Sequence, residues 1–385
     1  MKIPKDIAEI HARFISAGKE LYLVGGCVRD SRLKITPKDF DMATNAFPEE
    51  IETILSGYDL GITGKNFGVM RVYTKDEPTG YEIATYREDI SVGRKPTVKI
   101  GSTIENDAKR RDFTINALYY DISTSKIIDL VGGEKDLESL IIRACGNALE
   151  RITEDALRML RGVRIKNIIA GNLDEELHEA ILSRPALECP DENGNIVPIS
   201  QERISEEFLK GLSKVYNDVF VKSYINDLIK YQFIGQIFRG LHVNENFIAG
   251  SKTPEVTIAD LLRFNTDLKD LFKKLVHVNM FNKKIAEGVI FLLSLDNLND
   301  ENAYTLRKQM SKTNLTMNHV LEYGEIMHEN GNHARLKYLY AFTKYEITTS
   351  GDVLKEKEGF KDGEALGAEI KRRETENFKN IYQTI

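Results

Sequence analysis

Residues 23–30 have the sequence LVGGCVRD, in which a short apolar run is followed by two glycines and the start of a predicted helix. Gly25 and Gly26 lack a side chain, so the backbone there can approach a phosphate closely. The N-terminus of the following helix offers free N–H groups, and Arg29 supplies a guanidinium fork that suits phosphate oxygens. The stretch predicts a phosphate-binding turn, although an ordinary strand–turn–helix connection has the same local pattern.

The chain around this stretch changes character near residue 150. Before that point, short runs rich in Val, Ile and Tyr alternate with turn residues and predict strands at 21–26, 68–74, 81–86, 117–121 and 126–130. Beyond residue 198 there is a single proline, Pro254, and periodicities such as that of residues 205–234 predict amphipathic helices. Residues 189–198 have the composition of a surface loop. We therefore expect an α+β head of about 145 residues followed by an all-helical remainder.

Composition narrows the class of protein. The chain has no apolar run of the roughly 20 residues that a membrane span requires, and its charged N-terminal residues do not form a signal peptide. Three cysteines, far apart in the sequence, predict reduced thiols in a cytoplasmic protein rather than disulfides or a zinc site. The net charge of −6 argues mildly against nucleic-acid binding but does not exclude a local basic groove.

Two segments contribute carboxylates. In KDFDMAT (38–44), Asp39 and Asp41 would share one face of a strand about 7 Å apart, and such hard oxygen ligands suit Mg²⁺. Glu82 lies in the middle of the strand-like segment 81–87 and would complete a three-carboxylate site if the two strands were neighbours. Metal ions held there would activate a 3′-hydroxyl and stabilise charge on an α-phosphate. The alternatives are a polar strand end and an ordinary solvated glutamate.

Taken in order, these segments resemble a known family. The set comprises GGCVRD (25–30), DFDMAT (39–44), GYEIATYR (80–87), RRDFTINAL (110–118), DLVGG (129–133), EDALRMLR (154–161) and ERISEE (202–207). It is similar to the class II tRNA nucleotidyltransferases and bacterial poly(A) polymerases, over roughly residues 20–210. The resemblance implies an α+β polymerase-β-like nucleotidyltransferase head (1–145) followed by an all-α neck (146–215), body (216–290) and tail (291–385).

The resemblance also implies roles for individual residues. It makes Asp39 and Asp41 the catalytic pair that binds Mg²⁺, with Glu82 as the third catalytic carboxylate. The residues implied to bind the nucleotide are Gly25, Gly26, Arg29, Arg110, Arg111, Asp112, Asn116, Asp155, Arg158, Arg161 and Arg164. The choice between Arg110 and Arg111 for the main contact stays open. Asp112 and Asn116, implied to lie near the sugar, would share a face of a helix. For Arg161 and Arg164, a solvated outer helix face is the alternative.

Base selection is implied for Asp155 and Arg158, which would be adjacent on one helix face. Cytosine and adenine both present an amino donor beside a ring-nitrogen acceptor, which an Asp acceptor beside an Arg donor can satisfy. Uracil and guanine present the reverse order, and each such mismatch costs roughly 1–3 kcal/mol. The pair therefore predicts CTP and ATP as substrates. A routine ion pair on a helix is the alternative.

Within the family, the sequence favours addition of C, C and A to the tRNA 3′ end. Gly64–Gly68 is closer to the CCA-adding pattern, the C-terminal residues lack a basic tail, and the loop Arg87–Lys109 carries Arg94, Lys95 and Lys99. The implied partner is tRNA, held at its acceptor stem and elbow, with Lys269, Lys273, Lys274 and residues 371–373 as candidate phosphate contacts.

Several alternatives remain. They are poly(A) synthesis, partial CC or A addition, a small-molecule nucleotidyltransferase, and a non-enzymatic RNA-binding protein with a degenerate head. The chain also departs from the family at three positions. Leu130 replaces the usual proline, which we expect to alter a turn. Gly162 and Ile165 replace the usual alanine and phenylalanine, which we expect to loosen the neck helix.

Overall fold

The computed structural model describes the chain except for residues 38, 63, 91–97, 192, 215–217, 248–250, 252, 330–332 and 359–362. Internal contacts divide the chain into two compact units, Met1–Ile199 and Ser200–Ile385. The finer division into head, neck, body and tail stays a prediction.

A seven-stranded mixed sheet forms the centre of the first unit. The strands of this unit are β1 (Leu21–Val24), β2 (Asp41–Thr44), β3 (Asp59–Gly61), β4 (Val69–Tyr73), β5 (Tyr81–Thr85), β6 (Arg87–Asp89), β7 (Val98–Ile100), β8 (Leu118–Asp121), β9 (Lys126–Asp129), β10 (Ile141–Ile142), β11 (Asn172–Leu173), β12 (Glu188–Pro190) and β13 (Ile196–Pro198). The sheet order is β3-β4-β5-β2-β1-β8-β9, in which β2 and β5 run parallel and the other neighbours antiparallel. Met70, Val72 and Ile83 are buried at alternate positions, as expected for strands with one face in the core.

The helices of the first unit are α1 (Lys5–Ser16), α2 (Gly26–Arg32), α3 (Pro48–Ile54), α4 (Ile104–Lys109), α5 (Gly133–Glu138), α6 (Ala148–Glu154), α7 (Leu157–Ile168) and α8 (Glu175–Ser183), with 3₁₀ turns at Lys65–Phe67 and Thr114–Asn116. Short pairs β6–β7, β10–β11 and β12–β13 lie outside the main sheet.

The segment 189–198 corrects the expectation of a surface loop, because β12 and β13 form a hairpin there. The Asp191 carboxylate accepts the N–H groups of Asn193 and Asn195, at 2.8 and 2.9 Å, and thereby closes the turn. The region beyond residue 150 is therefore largely, but not wholly, helical.

In its described residues, the second unit is built from helices alone. They are α9 (Gln201–Lys214), α10 (Asp218–Lys230), α11 (Ile234–Ile237), α12 (Pro254–Leu262), α13 (Leu268–Lys273), α14 (Lys283–Ser294), α15 (Ala303–Met310), α16 (Met317–Glu329), α17 (His333–Lys344), α18 (Gly351–Glu358) and α19 (Gly363–Thr384), with a π-helical turn at Lys274–Val278 and a 3₁₀ turn at Leu295–Asn297. Residues 255–262 of α12 are all buried. The predicted helices are thus present, and α12 lies at the core of this unit.

Two expectations from composition concern the whole chain. No helix in the described ranges combines the length and apolar character that a bilayer span requires. Cys27, Cys145 and Cys189 are buried free thiols, as predicted.

Candidate active site

The predicted carboxylates lie at the start of β2 and in β5. Met42 of β2 pairs with Ile83 of the parallel strand β5, and Asp41 and Glu82 each stand one residue before this pair. The strand bearing Glu82 is therefore the neighbour that the sequence hypothesis required. Asp39 is exposed and precedes β2, which begins at Asp41, so Asp39 and Asp41 do not share a regular strand as expected.

Glu82 already has a cationic partner. It forms an ion pair with Arg71, the residue opposite it on β4. Among the described residues, no group of three or more His, Cys, Asp or Glu side chains is arranged to hold a metal ion. Asp39 and Asp41 are exposed and carry the hard carboxylate oxygens that Mg²⁺ prefers, and within the part of the chain that the structure describes no third acid joins them in a preassembled site.

The turn between β1 and α2 requires glycine. Gly25 has φ +80° and ψ −133°, a region that L residues with a side chain rarely adopt. A Cβ added there would lie 3.8 Å from the Asn116 carbonyl oxygen and 3.9 Å from Nη1 of Arg111. Two further predicted residues thus lie directly against the turn.

Four predicted residues form one hydrogen-bonded network beside this turn. The buried Arg29 donates from Nη1 to Oδ1 of Asn116 at 2.8 Å, and Asn116 donates from Nδ2 to Oδ1 of Asp112 at 3.2 Å. Arg161 donates from Nε and Nη2 to Oδ2 of Asp112, at 2.8 and 2.6 Å. The network brings together residues that are far apart in the sequence.

Asp112 is the anionic member of this network. Its burial favours the neutral acid, but the charge and hydrogen bonds of Arg161 outweigh burial and lower its pKa to about 2. The carboxylate is therefore ionised at neutral pH. Residues 114–116 form a 3₁₀ turn rather than the α-helix expected to align Asp112 with Asn116, yet the two side chains meet.

Arg110 and Arg111 are both held by Asp107, which sequence reasoning missed. Arg110 binds Oδ1 of Asp107 and also donates to the Arg87 carbonyl at 3.1 Å. Arg111 binds Oδ2 and lies beside Gly25. Asp107 precedes the two arginines by three and four residues, a spacing that favours contact at a helix end and was available in the sequence.

The predicted base-selecting pair does not lie on one helix. Asp155 ends α6 with extended backbone angles, and its Oδ1 accepts the Leu157 N–H at 3.2 Å at the start of α7. Arg158, on α7, donates to Oε2 of Glu154 at 2.7 Å. The chain bends between α6 and α7 because the Asp155 carboxylate binds the next helix start in place of continuing the helix.

For Arg161 and Arg164, the alternative to a nucleotide contact was a solvated outer face of a helix. Arg164 is 8% exposed and is therefore not a solvated residue on an outer face, whereas Arg161 is partly exposed but bound to Asp112. Gly162 between them corrects the expectation of a loosened helix. A Cβ there would lie 3.2 Å from Cζ of the buried Phe113, so glycine permits close packing of α7.

The DLVGG segment (129–133) holds the 3₁₀ turn that carries Asn116 in place. The Asp129 carboxylate accepts the N–H groups of the four residues 131–134, so the turn forms with Leu130 in place of proline. A Cβ at Gly133 would lie 2.1 Å from the Thr114 carbonyl oxygen, which requires glycine, and Asp136 accepts the Thr114 hydroxyl at 2.7 Å. These contacts fix the 3₁₀ turn that carries Asn116.

The loop predicted at Arg87–Lys109 contains β6, β7 and α4. Arg94 and Lys95 lie outside the described residues. Lys99 lies on β7 with its ammonium 3.9 Å from a Glu88 carboxylate oxygen.

Comparison with known proteins gives a consistent result. Residues 21–143 match the poly A polymerase head domain. The CCA-adding enzyme of Bacillus subtilis (strain 168) is 34% identical over 268 residues, which are 66% of this chain and 63% of that protein. Poly(A) polymerase I of Escherichia coli O6:H1 is 33% identical over 282 residues, 69% of this chain and 57% of that protein.

A solved structure extends the likeness to the fold. The crystal structure of the Bacillus stearothermophilus CCA-adding enzyme in complex with CTP matches with a TM-score of 0.63 at 24% identity, over 96% of this chain and 92% of that chain. The chain spans less than two thirds of the length of the curated relatives it matches in sequence.

Proposed function

We propose, from the premise that residues 21–143 belong to the poly A polymerase head family with its polymerase-β-like nucleotidyltransferase fold, that this chain adds C, C and A to the 3′ end of tRNA. The substrates are CTP and ATP. The tRNA 3′-hydroxyl attacks the α-phosphate in line, and pyrophosphate leaves.

The observation that carries this proposal is the network Arg29–Asn116–Asp112–Arg161 beside the Gly25 turn. Arg29 and Arg111, placed against a turn without side chains, supply the cationic donors that a triphosphate needs. The ionised Asp112 accepts hydrogen bonds and, with Asn116, suits the hydroxyl groups of a ribose. The triphosphate and the ribose of a nucleotide would thus both find partners in this network and turn.

Asp39 and Asp41 would hold Mg²⁺ at the start of β2, the central strand of the sheet. When bound, the metal would stabilise charge on the α-phosphate and lower the pKa of the attacking hydroxyl. Glu82, one residue before the Ile83 that pairs with Met42, forms an ion pair with Arg71 on the neighbouring strand β4.

Base choice is assigned to Asp155 and Arg158. Their positions on either side of the bend between α6 and α7 allow the two side chains to approach one base from different helices. Arg158 is held by Glu154, and this ion pair limits its rotation.

Poly(A) synthesis is the second candidate, and the 33% identity to poly(A) polymerase I favours it. The two functions use the same chemistry and differ in base choice and in when addition stops. Addition of CC alone differs from CCA addition in its stopping point, and addition of A alone differs in the RNA end that it extends and in the nucleotide that it uses.

One assay separates these candidates. Purified protein, Mg²⁺ and labelled nucleotides are incubated with tRNA lacking its 3′ CCA and with tRNA ending in CC. We expect two C and one A to be added, followed by arrest. Long A tracts would support poly(A) synthesis, and no incorporation would overturn the proposal.

Variants link the assay to the site. Asp41→Ala should abolish incorporation while the matched control Asp59→Ala, at the exposed first residue of β3, should not. Asp155→Ala should admit UTP or GTP, and unchanged selectivity would contradict the base-choice assignment.

A further inference from the structure

Asp107 on α4 joins several parts of the candidate site while remaining 1% exposed. Its Oδ1 accepts Nε and Nη2 of Arg110, at 2.9 and 2.6 Å. Its Oδ2 accepts Nε and Nη2 of Arg111, at 3.2 and 2.9 Å, and the Tyr119 hydroxyl at 2.7 Å. One buried carboxylate thus binds two guanidinium groups and a strand residue of β8.

The orientation of Arg111 follows from these contacts. Nε and Nη2 face Asp107, and the guanidinium carbon lies 5.2 Å from the centre of the Tyr119 ring. Asp107 occupies one edge of the Arg111 guanidinium, and these contacts fix the plane of the group. Nη1 is therefore directed to the Gly25 turn, where it lies 3.9 Å from the position that a Cβ on Gly25 would take. Arg110, by contrast, is directed to the Arg87 carbonyl.

A buried guanidinium without a counter-charge is costly, because desolvation is no longer compensated. Without the Asp107 charge, Arg111 would lose the partner that compensates its burial and would rotate toward solvent. The ion pair holds the pKa of Asp107 below its usual range despite burial, which itself would raise it.

We propose that Asp107 is a positioning residue, which holds the Arg111 guanidinium against the Gly25 turn so that Nη1 meets the triphosphate of the incoming nucleotide. This inference rests on the proposed function. It also assigns the main phosphate contact to Arg111 rather than to Arg110.

The test uses the full chain with Asp107→Asn, which keeps the shape and removes the charge. Loss of a charge-assisted contact predicts a rise of about tenfold in KM for both CTP and ATP, with kcat changed much less. Inhibition by cytidine, which has no phosphate, should be unchanged. The matched control is Asp174→Asn, a buried aspartate paired with Arg143, which should leave both KM values unaltered.

A double-mutant cycle separates positioning from a general structural role. In an Arg111→Ala background, Asp107→Asn should raise KM no further, whereas in an Arg110→Ala background the rise should persist. Additive effects with Arg111→Ala, or an equal loss of cytidine affinity, would overturn the assignment. If Asp107→Asn does not fold, Asp107→Glu keeps the charge, displaces it by one methylene, and should show a smaller rise confined to the nucleotides.

Failure of the inference differs from failure of the proposed function. Calorimetry of CTP binding and the incorporation assay are applied first to the unsubstituted chain. A chain that neither binds CTP nor extends tRNA overturns both proposals. A chain that extends tRNA but whose KM is insensitive to Asp107→Asn overturns the inference alone.

Discussion

Asp112 illustrates how a single residue acquires a property that its neighbours in the sequence do not specify. Its partial burial alone would raise its pKa, yet Arg161, 49 residues later, lowers that pKa to about 2. The family resemblance placed Asp112 near a sugar but gave no partner. The pairing arises because α7 packs against β10 and β11 and approaches Phe113, the residue that precedes the 3₁₀ turn.

The lowered pKa of Asp112 makes the free energy of unfolding depend on pH. The folded-state pKa is depressed, so the contribution of Asp112 to the free energy of unfolding is present above its ordinary pKa near 3.8 and is lost as the pH falls toward 2. We expect Asp112→Asn to lower the free energy of unfolding by about 2 kcal/mol at neutral pH, and less below about pH 4.

Urea titrations of both proteins across this range measure the difference. Asp352→Asn, at an exposed position on α18, is the control and should show little change at any pH. A difference for Asp112→Asn that stays constant down to about pH 3 would contradict the assigned pKa.

Elements that depend on local pattern were predictable, and those that depend on distant contacts were not. The strands β1, β4, β5, β8 and β9 lie within two residues of the bounds expected from the sequence, because alternation and turn residues are local signals. The bend at Asp155 and the hairpin at residues 188–198 were not predicted. Both depend on a carboxylate binding backbone N–H groups, which periodicity does not register.

The candidate site depends strongly on how the helix α7 packs within the first unit. Gly162 lets this helix approach Phe113, and the same helix carries Arg158, Arg161 and Arg164. The resemblance implied a role for each of these arginines, but from it we expected the glycine to loosen the helix.

Gly162→Val tests this contact. The added methyl groups meet the fully buried ring of Phe113, and such overpacking costs about 1–3 kcal/mol. If α7 shifts outward, Arg161 separates from Asp112, and we expect KM for CTP and ATP to rise together with the loss of stability. Chemical denaturation and steady-state kinetics measure the two effects. Lys166→Val, half-buried on the same helix, is the control, and an unaffected KM in Gly162→Val would show that the packing does not set the site.

At the scale of the whole molecule, the candidate residues are unevenly distributed. Each residue assigned here to metal, phosphate, sugar or base lies in the first unit, Met1–Ile199. The basic residues expected to contact tRNA lie in the second unit, where Lys274 pairs with Asp270, and Arg372 and Arg373 pair with Glu369. The net charge of −6 therefore says little about where an RNA would bind.

Because of this distribution, we expect truncation after residue 199 to separate CTP binding from tRNA binding. Residues 1–199 produced alone should fold and bind CTP with an affinity close to that of the full chain, because the network around Asp112 is complete within that unit. Affinity for tRNA should fall by a much larger factor, and the salt dependence of the remaining binding should weaken as phosphate contacts are lost. Calorimetry with CTP and filter binding with tRNA over a salt series measure both quantities, with Asp112→Asn in the truncated chain as the control for specific CTP binding. Equal loss of both affinities would mean that the second unit is needed to form the nucleotide site itself.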